Sequence, residues 1–250
     1  MEADGLKMRE YVSSLLDWRQ TEAVLDVGCG DGGDLRRMEA LAPENARLRL
    51  VGLDSSAESI EAARAATTGN PRFSWHQADV SSGLPFADGE FDALCSLNLL
   101  ECLTDKQAFL SEMHRVLRPG GLVICAHWDH DTHTLDGVDK ALVRRIVQAF
   151  SDWKQAWMVD ADGWMGRRLW PAFQRSGLFA GRIEAYTLTN TVFAPRWYGY
   201  EQVQAFGALA RRALIAPDDY ARLCDDLAAQ AARGEYFYSV TLYTYVGRKL

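Results

Sequence analysis

Residues 23 to 33 read Ala-Val-Leu-Asp-Val-Gly-Cys-Gly-Asp-Gly-Gly, an apolar run that ends in a cluster of glycines. An apolar stretch of this length suits one buried strand, and the glycines turn the chain sharply. A helical pattern follows over residues 33 to 41. Strand, tight turn and helix in that order open a parallel βαβ unit, whose crossover helix covers the sheet.

The rest of the chain keeps the rhythm. Strands are predicted at 48–54 (LRLVGLD), 72–79, 91–97 and 122–128 (LVICAHW), with later ones at 181–190 and 236–249. Helices are predicted around 6–18, over Ser56 to Ala66 with Ser55 or Ser56 as cap, and over 106–117. Arg118-Pro119-Gly120-Gly121 stops the last of these, since proline breaks the helix and glycine supplies the turn. Beyond residue 128 the rhythm changes, with helices expected at 137–152, 164–176 and 200–233. No repeat or linker divides the chain, so residues 1–250 are read as one α/β domain. Residues 1–20 would form an N-terminal helical cover, and 129–160 and 191–233 helical insertions over a binding site.

Composition narrows the partners. A net charge of -7 disfavours a phosphate backbone, so no nucleic-acid partner is expected. The five cysteines are scattered without a C-x-x-C pair, which reads as reduced thiols rather than disulfides or zinc ligands. The first ten residues lack an apolar signal region, and no apolar run approaches the roughly 20 residues that span a bilayer. A cytoplasmic protein is expected, and the chain carries no signature of a subunit count.

Gly28, Gly30 and Gly33 satisfy G-x-G-x-x-G, and Asp54 ends the second strand where a carboxylate can accept ribose hydroxyls. NAD or another adenosine cofactor fits those features equally. Asp26, two residues before the first glycine, separates them. Beside a pyrophosphate its charge repels; beside the ammonium and sulfonium of S-adenosylmethionine it attracts. An aspartate at a strand end also caps turns, which is the plainer reading of Asp26, Asp54 and Asp79.

The stretches LDVGCGDG (25–32), VGLDSS (51–56), QADVSSGLPFADGEFDALCSLNLLECL (77–103) and HRVLRPGGLVI (114–124) arrive in one order and spacing. Through them the chain resembles the class I S-adenosylmethionine-dependent methyltransferases, in particular the small-molecule branch of the ubiquinone/menaquinone type. The resemblance implies a doubly wound, seven-stranded, mostly parallel sheet with an antiparallel last strand. Helical insertions would follow strand 5 and separate strands 6 and 7. It implies that Asp26, Gly28 and Gly30 hold the donor's methionine part and Asp54 its ribose. Ser55 would lie at the adenine edge, Asp79 and the Val80 backbone at the adenine amine, and Leu97 and Asn98 along the donor. Glu101 departs from the family, which often carries histidine in this turn.

In open α/β sheets ligands bind beyond the carboxyl ends of the strands. There the segment His127-Trp128-Asp129-His130-Asp131-Thr132-His133 leaves the fifth strand. His127, Asp129 or His130 would serve as base toward an acceptor hydroxyl, amine or thiol; the alternative is a solvated polar loop. The same residues with His133 match no standard zinc spacing, so no metal is expected. Trp153, Trp157, Trp164, Trp170, Phe193, Trp197, Tyr198 and Tyr200 either wall an acceptor pocket or pack a core. Trp128 and the cluster Arg196-Trp197-Tyr198-Gly199-Tyr200 are the candidates for the acceptor pocket.

The expected function is transfer of a methyl group from S-adenosylmethionine to an O, N, S or C atom of a small molecule, releasing S-adenosylhomocysteine. A NAD-dependent oxidoreductase, a non-catalytic donor-binding module and a methyltransferase acting on protein are the alternatives.

Overall fold

The computed structural model describes residues 3–17, 21–42, 47–155 and 158–250. Along the chain run α1 (Ala3–Ser14), β1 (Ala23–Val27), α2 (Gly33–Leu41), β2 (Arg49–Asp54), α3 (Ala57–Ala66), β3 (Phe73–Gln77) and β4 (Phe91–Leu97). There follow α4 (Lys106–Val116), β5 (Leu117–Leu135), α5 (Lys140–Ser151), α6 (Met165–Ser176), β6 (Phe179–Asn190), α7 (Tyr198–Arg211), α8 (Pro217–Ala232) and β7 (Tyr238–Lys249). The strands form one seven-stranded sheet in the order β3-β2-β1-β4-β5-β7-β6. β1 to β5 pair in parallel, and β7 lies antiparallel between β5 and β6. The doubly wound sheet with an antiparallel last strand is therefore the fold.

Sequence periodicity explains the layers. Val24 and Leu50 join the cluster on one sheet face, Leu25 and Val51 the cluster on the other, because successive strand residues point to opposite sides. α4 contributes Phe109, Leu110, Met113 and Val116 from one helical face, with Asp105 capping its first turn through the Ala108 N–H at 2.9 Å. Each such fully buried side chain stabilises by about 1.5–3 kcal/mol. Ser56, not Ser55, caps α3 by accepting from the Ser59 N–H at 3.2 Å.

One expectation is corrected. The polar run from Asp129 to Leu135 is strand, not loop. β5 continues to Leu135, pairing Thr134 with Ser239 and Leu135 with Tyr238 beyond an irregularity at Asp129. The partner strand lies more than a hundred residues on, so nothing local announced the extension. The insertion after β5 thus begins after residue 135 and carries α5. The stretch between β6 and β7 holds two helices, α7 and α8, rather than one. Among the described residues no helix is long and apolar enough to cross a membrane.

Candidate active site

The glycine loop is built on the carboxyl ends of β1 and β2. The N–H groups of Gly28 and Cys29 donate to the Leu53 carbonyl at 2.8 and 3.1 Å, folding the loop back over β2. Gly28 and Gly30 adopt φ of +80° and +52°, left-handed values that disfavour a side chain. A Cβ at Gly30 would meet nothing within 4 Å, so the loop presents open space above its backbone. Beneath it, Trp75 packs so closely that a Cβ on Gly52 would sit 2.3 Å from the indole.

Asp54 fixes the loop's reach. One carboxylate oxygen accepts from the Gly30 N–H at 2.9 Å, the other from the Ser56 N–H at 2.9 Å. Asp79 is held in the same manner by the Ser81 N–H at 2.9 Å, which keeps its carboxyl below the usual carboxylate range. Asp26 is buried, and among the described residues its Oδ2 has no hydrogen-bond partner. Burial, with the nearby Asp34 charge, pushes its carboxyl well above the ordinary range. Arg9 of α1 pairs with Asp34 and supplies the nearest compensation.

Gly28, Asp54, Ser55, Asp79, Val80, Leu97 and Asn98 all line one cavity of about 470 Å³. Asp26 and Gly30 are not among its walls; the first is buried below, and the second acts through Asp54.

A second cavity of about 380 Å³ adjoins the first, and Asn98 lines both. Its walls come from distant parts of the chain: Met8 and Arg9 of α1, Trp128 and His130 of β5, Phe150 of α5, Trp153 and Met158 beyond it, and Tyr198 of α7. Trp128 and Tyr198 pack with ring centroids 5.0 Å apart, and Phe150 meets His130 edge-on at 5.3 Å. Glu101, in the short 3-10 turn Leu100–Cys102 after β4, completes the wall. Sequence reasoning noted Glu101 only as a departure from the family. Its placement depends on β5 passing beside that turn, which no local pattern reveals.

The histidine segment is distributed differently from expectation. Asp129 is withdrawn from the cavity: its carboxylate is fully buried and receives Arg167 Nε and Nη2 at 2.5 Å each, plus the Arg167 backbone N–H at 3.2 Å. It faces α6. His127 is buried as well, and burial lowers its pKa to about 3. His133 lies under the surface with Nδ1 2.8 Å from the Tyr238 hydroxyl. Of the three candidate bases only His130 stands at the cavity wall, with its pKa lowered to about 4 by burial.

The acceptor candidates divide likewise. Trp128 and Tyr198 line the second cavity; Arg196, Trp197 and Tyr200 do not. Arg196 takes a left-handed turn at φ +75° with its N–H on Glu201, Trp197 caps α7, and Tyr200 packs on Phe193 at 4.9 Å. Trp164 and Trp170 are 41% exposed and belong to neither cavity's lining. Trp157 lies outside the described residues.

Comparison with known proteins adds the family. A family model described as "Methyltransferase domain" matches residues 25–125. A Streptomyces fradiae protein, "Uncharacterized 37.1 kDa protein in transposon TN4556", is 31% identical over 96% of this chain and 67% of its own length. A "2-methyl-6-phytyl-1,4-hydroquinone methyltransferase" of Synechocystis sp. is 26% identical over 57% of this chain and 46% of its own. The chain thus spans about two thirds of the first relative and under half of the second. A solved Bacillus halodurans structure superposes with a TM-score of 0.63 at 15% identity, over 97% of this chain and 99% of that one.

Proposed function

Because the chain belongs to the class I S-adenosylmethionine-dependent methyltransferases, we propose that it methylates an O, N, S or C atom of a small-molecule acceptor held in the second cavity. The observation that carries this reading is the pair of adjoining cavities with Asn98 as their common wall. A space of about 380 Å³ closed by aromatic side chains suits a metabolite better than a protein segment.

The residues present fit the donor. Asp26 keeps a buried carboxylate oxygen without a partner among the described residues, the complement of an ammonium. Next to a pyrophosphate the same oxygen would be repelled, which speaks against NAD. Gly28 and Gly30 allow close backbone approach to the methionine part. Asp54, already oriented by two amides, accepts from the ribose hydroxyls; Ser55, Asp79 and the Val80 backbone edge the adenine, and Leu97 and Asn98 flank the donor. The bound donor supplies a methyl group on a sulfonium that leaves readily as a thioether. The chain's own part is alignment: holding the attacking atom in line contributes several kcal/mol by itself. α1, α5 and the α7–α8 stretch act as the cover that excludes water and selects the acceptor. The free Cys29, Cys95, Cys102, Cys125 and Cys224 suit a reducing, cytoplasmic setting.

The reading is tested by calorimetric titration with S-adenosylmethionine, S-adenosylhomocysteine and NAD in parallel, followed by a methyl-transfer screen across metabolite classes. Binding of the first two without NAD, and turnover on a small molecule, is expected. Binding of NAD alone, or turnover only on proteins, overturns it.

A further inference from the structure

We propose that Glu101 selects a protonated amine as the acceptor and takes its proton, so that methyl transfer by this chain falls on nitrogen. The inference deepens the reading above and rests on it.

Glu101 is 7% exposed and lines the second cavity. Its two carboxylate oxygens face two imidazoles: Oε1 lies 3.7 Å from His127 Nε2, and Oε2 lies 3.8 Å from His130 Nε2. Both separations exceed a hydrogen bond, so the three groups converge without satisfying one another. His127 Nε2 is buried and has no hydrogen-bond partner among the described residues.

The tautomer of His127 follows from its other nitrogen. Nδ1 lies 3.0 Å from the Trp128 carbonyl oxygen, which can only accept, so Nδ1 carries the hydrogen. Nε2 is then a bare lone pair, and burial keeps the ring neutral. At the cavity the niche therefore offers the Glu101 carboxylate, a mostly buried acceptor, with the His127 lone pair behind it and outside the lining. A ligand that fills it must bring several N–H or O–H donors. An alcohol or phenol brings one and a carboxylate none; an ammonium brings two or three with a complementary charge.

The surroundings point the same way. Trp128, Phe150, Trp153 and Tyr198 supply aromatic faces that attract a cation, and the charged side chains that share the lining with Glu101 are Arg9 and Asp162. The charged groups acting on Glu101 are Asp162, which disfavours its ionisation, and Lys106, which favours it. Asp162 is paired with Arg168 at 2.7 Å and Lys106 with Asp160 at 3.2 Å. Burial first, then the Asp162 charge, pushes the Glu101 carboxyl up to about 7, where it both takes and returns a proton at neutral pH.

The step balances simply. One N–H proton of the ammonium passes to the Glu101 carboxylate, freeing the nitrogen lone pair. That pair forms the N–CH3 bond as the S–CH3 bond breaks, and the broken bond's electrons stay on sulfur as the neutral thioether.

The test uses wild-type protein saturated with S-adenosylhomocysteine and three probes of matched shape: 2-phenylethylamine, 2-phenylethanol and phenylacetate. Calorimetry on wild type, E101Q and E101D reads the affinities. We expect the amine to bind at least about tenfold tighter than the alcohol, as a charge-assisted hydrogen bond allows, and phenylacetate to bind least. The preference should collapse to within about threefold in E101Q and persist in E101D, which keeps the charge. Equal or tighter binding of the alcohol, binding of no probe, or an undiminished preference in E101Q overturns the inference. S-adenosylhomocysteine affinity, measured first in each protein, reports folding; if E101Q fails that check, the wild-type and E101D preferences decide. Absence of S-adenosylhomocysteine binding to the wild type overturns instead the reading on which the inference rests.

Discussion

Asn98 Oδ1 accepts a hydrogen bond from the Trp128 backbone N–H at 3.2 Å, so a side chain continues the ladder that β4 leaves at Leu97. The same residue donates its own N–H to the Ala126 carbonyl at 2.9 Å and sits at φ +55°, in the left-handed region. Asparagine tolerates that conformation and glycine prefers it, whereas alanine is strained there. Asn98→Gly should therefore fold more stably than Asn98→Ala by about 1 kcal/mol, read from thermal unfolding. Both should transfer methyl more slowly than the parent, since either loses the contact that fixes Trp128 against the cavity junction. Equal stability of the two variants would show that the backbone there is not constrained.

Asp54→Ala removes the acceptor proposed for the ribose and frees the Gly30 and Ser56 amides. Affinity for S-adenosylhomocysteine should fall at least about tenfold, because each lost hydrogen bond to a charged group is worth about 1.5–3 kcal/mol. Unchanged affinity by calorimetry sinks the assignment.

Arg167 reaches Asp129 from α6, and its side chain is 41% exposed while that of Asp129 is fully buried. Arg167→Ala leaves a buried carboxylate without its counter-ion, while Asp129→Asn keeps a hydrogen-bonding group in the slot. We expect the arginine variant to lose about 2 kcal/mol in denaturant unfolding, discounted for solvent at the guanidinium, and the asparagine variant less. Donor affinity should stay within twofold of wild type in both, read by calorimetric titration. The pair stands apart from both cavities.

Acid should destabilise the fold through its buried imidazoles. His127 and His130 titrate at about 3 and about 4 when folded, against an ordinary 6.5. Between pH 6.5 and 4 the unfolded chain binds protons that the folded one refuses, so stability falls as pH drops through that window. Glu101 works oppositely. Its folded value of about 7 lies above the ordinary 4.5, so its ionisation erodes stability as pH rises from 4.5 to 7. With His133 also held well below its ordinary value by burial, three imidazoles outweigh the raised carboxyls of Glu101 and Asp26, and the net effect is acid lability below pH 6.5. Removing the opposing carboxyl in E101Q should steepen that loss, by up to about 3 kcal/mol across the window. Parallel pH curves for wild type and E101Q would contradict the burial-raised carboxyl.

The geometry around the glycine loop was legible because its signals are local. Asp26, Gly28 and Gly30 lie within five residues, and Asp54 closes on Gly30 across one parallel strand pair. The second cavity was not, because its walls are made by tertiary meetings. Met8, Phe150 and Tyr198 come together from three separate helices, and each alone reads as an ordinary amphipathic position. The histidine segment misled for a related reason. Its polar residues suggested a solvated loop, but pairing with β7 turns it into strand, sending Asp129 to α6 and His130 to the cavity. Trp197 and Tyr200 were drawn toward the site by their neighbour Tyr198, although the first turn of α7 points them elsewhere.

β5 runs from the middle of the sheet into the wall of the second cavity. From Leu122 to Ala126 it is paired with β4 on one side and β7 on the other, and Trp128 and Asp129 remain paired with β7. Backbone amides held in this way exchange with solvent only when the domain opens as a whole, while helices and connections at the periphery open on their own. One side of the second cavity thus has the permanence of the entire fold, while Phe150 and Tyr198 on the other side belong to helices outside the sheet. A lineage carrying this scaffold can reshape that cavity by rewriting the second side, leaving untouched the strand on which its folding depends.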